Sequence, residues 1–201
     1  DAPLGVHLAQ AESGTSWGTL EHPDALLRAG ERLKAAGATA IAVVARFPDD
    51  METQALAAYR HGDGVDALAG AEAVISHLLV RHLQVPCAHA PALMPLPPDP
   101  QLDPRAAGEE LGHTFLACVL VGLSRAPDLL TSPSVGPIAH GDLAAEQLGA
   151  VVVPEGALGG EAVLACQERR VPVISVAQSS VLSVTAEALA LEGQVLPAVS
   201  Y

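Results

Sequence analysis

The sequence predicts an α/β fold, a Rossmann-like, mostly parallel sheet with helices on both faces, and three observations carry that expectation. Helical segments alternate along the chain with short apolar runs. The runs "AIAVV" and "FLACVLVGL" are apolar at every position rather than at alternate ones, the pattern of strands covered on both sides. Parallel neighbours also need crossover connections of about a dozen residues or more, which the intervening helices supply.

The elements follow in order. In "HPDALLRAGERLKAAG", Pro23 suits a first helical turn, Asp24 favours the positive helix end and Gly37 can stop the helix. The next run predicts a strand over Ile41–Ala45, and "METQALAAYR" a short helix. "DALAGAEAVISHLLVRHL" puts Leu68, Ala71, Val74, Ile75, Leu78 and Leu79 on one helical face, and "VPCAHA" reads as a short strand after it. "PRAAGEELG" is a brief helix leading into "HTFLACVLVGL", the strongest strand signal in the chain. "VVVPEGALGGEAVLACQERRVPVISV" then reads as strand, glycine-rich turn, helix and strand. The segments Ile41–Ala45, Leu116–Val121, Val151–Val153 and Val173–Val176 are expected to lie mutually parallel in one sheet. The proline-rich stretch Ala90–Pro104 and the loop Ala126–Asp142 break the rhythm.

With 201 residues, half of them hydrophobic, the chain is long enough for one domain over residues 1–201 with a continuous core. Ten Lys and Arg against 23 Asp and Glu give a formal charge of −13, which argues against a nucleic-acid or anionic-lipid partner. Three cysteines, Cys87, Cys118 and Cys166, lie far apart in apolar surroundings, so a disulfide framework is not expected and Cys118 and Cys166 should be buried and unbonded. No apolar run reaches the roughly 18 residues of a membrane helix, and "DAPLGVHLAQ" lacks the basic and apolar regions of a signal peptide. A soluble, cytoplasmic protein is expected. The start at Asp1 without methionine points to the C-terminal part of a longer protein.

The segments "SGTSWGTLEHPDALLRAGERL", "GATAIAVVARFPDD", "GVDALAGAEAVISHLLV", "PCAHAPAL" and "CVLVGLSRAPDL" resemble a domain-of-unknown-function family of cyanobacterial and plastid proteins, over nearly the entire chain. Members of that family carry a further region before the position of Asp1. The resemblance implies lineage and compartment and brings no catalytic residue with it.

Parallel α/β sheets bind ligands at the carboxyl ends of their strands. That rule selects Arg46, Asp49 and Asp50 after the first strand and His89 after "VPCA". It also selects Ser124 and Arg125 after "FLACVLVGL", Glu155 with Gly156, Gly159 and Gly160 after "VVVP", and Gln178 with Ser179 and Ser180 after "VISVA". The opposite strand ends carry ordinary turn residues. Arg46 and Arg125 are the candidates to grip an anion bidentately, with Asp49, Ser124, Gln178 and the glycine loop around it. His89, with Glu155 or Asp63, is the candidate for moving protons. Asp63 stands between two glycines where no helix cap is evident, whereas Asp66 reads as a cap.

Each candidate has a plainer alternative. Asp49 and Asp50 follow a proline and can form a simple turn. The three glycines can serve a ligand or merely a tight corner. His77, His82, Cys87 and His89 are ligand types for a metal, but positions five apart on a helix differ by about 140° around its axis, so no metal site is expected. "SGTSWG" meets a nucleophile elbow imperfectly and reads as a capping or anion-binding approach to the first helix. Neither glycine-rich segment has the P-loop lysine or fits G-x-G-x-x-G, and the sequence names no cofactor. The favoured reading is a protein that binds a small phosphorylated or carboxylated metabolite, whether or not it also performs acid–base catalysis. The alternative is a non-catalytic assembly or regulatory protein whose loops pack an N-terminal region of the same protein or an identical subunit.

Overall fold

The computed structural model describes residues 3–47, 54–92, 98–112, 116–130, 139–179 and 182–201. They form a mixed α/β structure of two compact units, Asp1–Ala11 with Thr15–Thr131, and Glu12–Gly14 with Ser132–Tyr201. Among the described residues, no helix is long and apolar enough to cross a membrane.

The first unit begins with a hairpin, β1 (Val6–Gln10) antiparallel to β2 (Ser16–Leu20), with Val6 opposite Leu20 and Gln10 opposite Ser16. The "SGTSWG" segment therefore turns a hairpin and enters a strand, which corrects its reading as a helix approach. The helix α1 (Pro23–Ala35) has Pro23 in its first turn, an Asp24–Arg28 ion pair one turn apart, and Gly37 at φ 98° just beyond its end. The strand β3 (Ile41–Ala45) is followed by α2 (Gln54–Arg60) and α3 (Ala69–Leu83), which cross back to β4 (Cys87–Pro91). β3 and β4 pair in parallel, Ile41 opposite Cys87 and Val43 opposite His89.

The helix α3 is the central element of this unit. Leu68, Ala71, Ile75, Leu79 and Leu83 bury one stripe of it and join Leu26 of α1, Ile41, Ala45 and Phe47 in a single apolar core. Glycine lets the hairpin lie directly on this helix. A Cβ at Gly70 would stand 2.4 Å from the Trp17 Cα, and one at Gly18 would stand 2.5 Å from the Ala71 Cβ. Two short helices complete the unit, α4 (Pro104–Gly112) and α5 (Leu116–Ser124).

The helix α5 corrects the expectation of a strand over Leu116–Val121. A short run that is apolar throughout fits a strand or a packed helix equally, and tertiary contact decides between them. Here the run lies against β3 and β4. Its helical spacing turns Cys118, Val119, Gly122 and Leu123 to one side while Leu116, Leu120 and Val121 stay exposed.

In the second unit, β5 (Val151–Pro154), β6 (Val173–Val176) and β7 (Val195–Ala198) form a three-stranded parallel sheet in the order β5-β6-β7. The helix α6 (Glu161–Glu168) connects β5 to β6. Its core gathers Leu158, Val163, Cys166 and Val173. The single sheet expected for Ile41–Ala45 and the later strands is thus corrected: β3 pairs with β4, and β5 pairs with β6 in another sheet. Each set has its own apolar cluster beside it. No disulfide joins Cys87, Cys118 and Cys166, with Cys166 buried as expected and Cys118 only half-buried.

Candidate functional site

A cavity of about 510 Å³ opens in the first unit, walled by α3, β4 and α5, with side chains of α2 and α4 reaching into it. Its chemistry starts on α3. Helical periodicity continues the buried stripe Leu68–Ala71–Ile75–Leu79 through Glu72 and Ser76, so a carboxyl and a hydroxyl occupy positions where a core helix ordinarily carries leucine or alanine. The Glu72 side chain is only 9% exposed. Its Oε1 is closed to solvent and has no hydrogen-bond partner. Burial first, then the charges of Asp66 and Glu109, push its carboxyl up to about 7.

His89 meets this helix from β4. Its Nδ1 lies 2.9 Å from the Ser76 Oγ, and its Nε2 is 3.9 Å from the Glu72 Oε2. The Ser76 hydroxyl donates weakly to the Glu72 carbonyl at 3.4 Å. Which of His89 Nδ1 and the Ser76 hydroxyl donates depends on the ring tautomer, and Nε2 is the ring nitrogen that faces Glu72. The 3.9 Å separation is within ion-pair range but beyond a hydrogen bond.

The remaining wall is acidic. The Tyr59 hydroxyl on α2 donates to Glu109 on α4, and burial together with that carboxylate raises the phenol above its usual range. Arg60 Nε donates to Glu110 Oε1 at 2.8 Å, with both side chains largely buried. Asp66 accepts the Leu68 N–H at 2.9 Å, the local turn bond its position before the helix implied, and burial raises its carboxyl too. Asp66, Glu72, Glu109 and Glu110 thus line one cavity in which, among the described residues, no lysine or arginine takes part. The same holds of metal-ligand clusters: no group of three His, Cys, Asp or Glu side chains among the described residues is close enough to hold a metal ion.

Of the residues selected from sequence, the structure puts His89 in this cavity. Arg46 follows β3 and is exposed, and Asp63 is exposed between Gly62 and Gly64, both at positive φ. Ser124 and Arg125 end α5 rather than a strand, with Ser124 Oγ donating to the Val121 carbonyl at 2.7 Å. That placement removes the strand-end argument by which they were selected. None of these four lines the cavity. Asp49, Asp50 and Ser180 lie outside the described residues. Glu155 and Gln178 follow β5 and β6 in the second unit and are exposed.

The glycine loop has a structural task. Val184 N–H donates to the Gly156 carbonyl at 2.8 Å and Leu158 N–H to the Val184 carbonyl at 3.0 Å, which stitches the loop to a neighbouring segment. A Cβ on Gly159 would stand 2.8 Å from Val184 Cγ1, and Gly160 adopts φ −67° as the residue before α6. None of the three glycines has positive φ. The loop fits closely and carries Leu158, wholly buried, into the core of the unit.

Glu72, Ser76, Tyr59, Glu109 and Glu110 were not singled out from sequence. The available signal was the polar pair Glu72 and Ser76, four residues apart on an otherwise apolar helical stripe. Tyr59, Glu109 and Glu110 had none, because only the packing of α2 on α4 brings them to the cavity.

A family profile described as "protein of unknown function (DUF3326)" matches residues 1–201. A protein of Synechococcus sp. whose name reads "uncharacterized lipoprotein" is 57% identical over 179 residues, 89% of this chain and 49% of that protein. The chain therefore spans about half the length of the curated relative it matches. No solved structure matches it.

Proposed function

The chain belongs to the DUF3326 family, whose description names no reaction, and we propose that its first unit binds a small molecule in the cavity between α3, β4 and α5, with His89 and Glu72 as an acid–base pair facing that molecule. The observation that carries this reading is the pairing itself. A largely buried carboxyl pushed up to about 7 and an imidazole held by Ser76 share one concave surface, so two groups able to exchange a proton with a bound molecule stand together. The anionic metabolite expected from Arg46 and Arg125 finds little support in this cavity, whose lining includes carboxyl side chains but, among the described residues, no lysine or arginine.

The test is a thermal-shift screen of cationic, neutral and anionic small molecules on the chain and on Gly122→Leu. Gly122 lines the cavity, and a Cβ there meets no atom within 4 Å, so leucine adds bulk without displacing backbone. A ligand at about 100 times its Kd adds ~2.7 kcal/mol of stability, and that gain should vanish in the variant. Ligands whose shift survives Gly122→Leu, or a screen without any shift, would refute the reading.

A second reading rests on a different observation. Leu116, Leu120 and Val121 on α5, with Leu129 and Leu130 after it, are exposed apolar side chains. They support an assembly role in which this face meets another subunit or a further region of the same protein. Three cysteines without a disulfide support a reducing, cytoplasmic compartment. The relative's name supports a lipid-anchored one. Fractionation of native cells, with the protein followed by antibody, separates the two.

A further inference from the structure

The outward side of α5 is an apolar face that water covers in the single chain. We infer that two copies of the protein associate across this face, about a two-fold axis that sets Arg125 of each copy against Asp128 of the other. This inference rests on the assembly reading of the exposed α5 side chains, and adds the identity of the partner.

Composition sets α5 apart from its neighbours. In α1 the outward positions carry Asp24, Arg28, Glu31, Arg32 and Lys34, the ordinary cover of a helix whose far side meets water. The helix α5, "LACVLVGLS", has Ser124 as its single polar residue. A helix that is apolar all round belongs between two packed surfaces. One of them is present, since Cys118, Val119, Gly122 and Leu123 turn to the cavity and the helix lies against β3 and β4. On the other side Leu120 is 51% and Val121 52% exposed, Leu116 stands one turn earlier, and Leu130 beyond the helix is 57% exposed. So many large apolar side chains in one short stretch go beyond the single exposures normal on a surface.

Charge selects a second copy as what covers this face. The chain has a net charge of −13, so two copies repel one another on approach. From Leu116 to Leu130, however, it carries one charge of each sign, Arg125 and Asp128. Both are exposed, and neither makes an ion pair among the described residues. The stretch is therefore neutral within an acidic protein, and two copies meet there with least repulsion. A two-fold interface brings the same patch of both copies together, so that residue i meets j and j meets i. One cation and one anion on a shared apolar patch satisfy that rule with two ion pairs. A basic partner would be drawn to the acidic remainder of the chain instead, and an anionic lipid surface would be repelled by it. The nine residues of α5 span only ~13 Å, so the contact falls short of the ~800 Å² that each partner of a standard interface buries, and the dimer is a reversible one.

Sedimentation velocity over a range from low micromolar to submillimolar concentration tests the inference, and the chain should pass from monomer to dimer. Leu120→Gln should weaken association by about tenfold or more, because it puts an amide into the apolar contact. Arg125→Asp and Asp128→Arg should each weaken it by about tenfold or more, since like charges then face each other at both contacts. An equimolar mixture of these two variants should associate about as tightly as the wild type, because both contacts are again of opposite sign. Unchanged Trp17 fluorescence shows that each variant keeps the fold of the first unit. A chain that stays monomeric throughout overturns the inference, and leaves a further region of the same protein as what the face meets. A dimer indifferent to Leu120→Gln puts the contact elsewhere and overturns the assembly reading as well. Charge reversals without effect, or a mixture no tighter than its two components, overturn the two-fold pairing of Arg125 with Asp128.

Discussion

Replacing Glu72 with glutamine should make the first unit more stable at alkaline pH and leave it nearly unchanged in acid. The carboxyl is 9% exposed, and its value rises from the ordinary 4.5 to about 7, with burial the largest cause and Asp66 and Glu109 adding to it. A carboxyl whose folded value lies above its unfolded one stabilises the fold fully below pH 4.5. That contribution is lost as the pH climbs through about 7, because the folded state then has to ionise a buried group. The gap between 4.5 and about 7, at ~1.36 kcal/mol for each tenfold in proton affinity, comes to about 3 kcal/mol. Glutamine has no charge to desolvate and keeps the shape. Trp17 is the sole tryptophan and lies on β2 in the first unit, so its fluorescence follows urea unfolding of that unit. The unfolding free energy of Glu72→Gln minus that of the wild type should rise by about 3 kcal/mol between roughly pH 4.5 and pH 8.5. Asp66 titrates in both proteins, and its coupling to Glu72 is part of the difference. A difference that stays flat, or falls, with rising pH would show that Glu72 is not buried among those charges, and the site reading would fail with it.

Four further outcomes are expected. Gly70→Ala should destabilise the first unit by about 1–3 kcal/mol, since its methyl would meet the Trp17 backbone and the Ser16 carbonyl oxygen, and urea titration that finds it neutral would contradict the close approach of hairpin and helix. Ser76→Ala should cost about 0.5–1.5 kcal/mol and release His89 Nδ1, seen as a change in the ratio of the two imidazole tautomers by nitrogen NMR; an unaltered ratio would place the ring elsewhere. Burial pushes the Cys87 thiol up, so mass-spectrometric mapping should show it alkylated by iodoacetamide at pH 8 more slowly than glutathione, and equal rates would refute its shielding. Leu158→Ala should lower the stability of the second unit by about 2–5 kcal/mol if the glycine loop exists to place that side chain, and a small loss by denaturant titration would return the loop to a ligand.

The elements that the sequence determined by itself are those whose signals are local. Pro23 and Gly37 delimit α1, the continuous valine and isoleucine runs mark β3, β5 and β6, and the periodic apolar residues mark α3, because capping geometry and side-chain periodicity act within a few residues. His89 was legible only as a histidine of the short run "VPCAHA", since it stands third of the five residues of β4 and not beyond the strand's end as the sequence led one to expect. Tertiary structure decided what depends on partners distant in the chain. Leu116–Ser124 became helix rather than strand because its apolar run is ambiguous until β3 and β4 offer it a face. The hairpin β1–β2 and the edge strand β7, which carries Pro197, give weak local signals and are defined by their pairing. The glycine loop could be assigned to packing only once Val184 was seen beside Gly159. The candidate site shows the division most sharply. Sequence puts a glutamate on the apolar stripe of α3, but only the fold surrounds that carboxyl with Asp66, Glu109 and His89, and a shifted proton affinity is a property of those surroundings rather than of the residue.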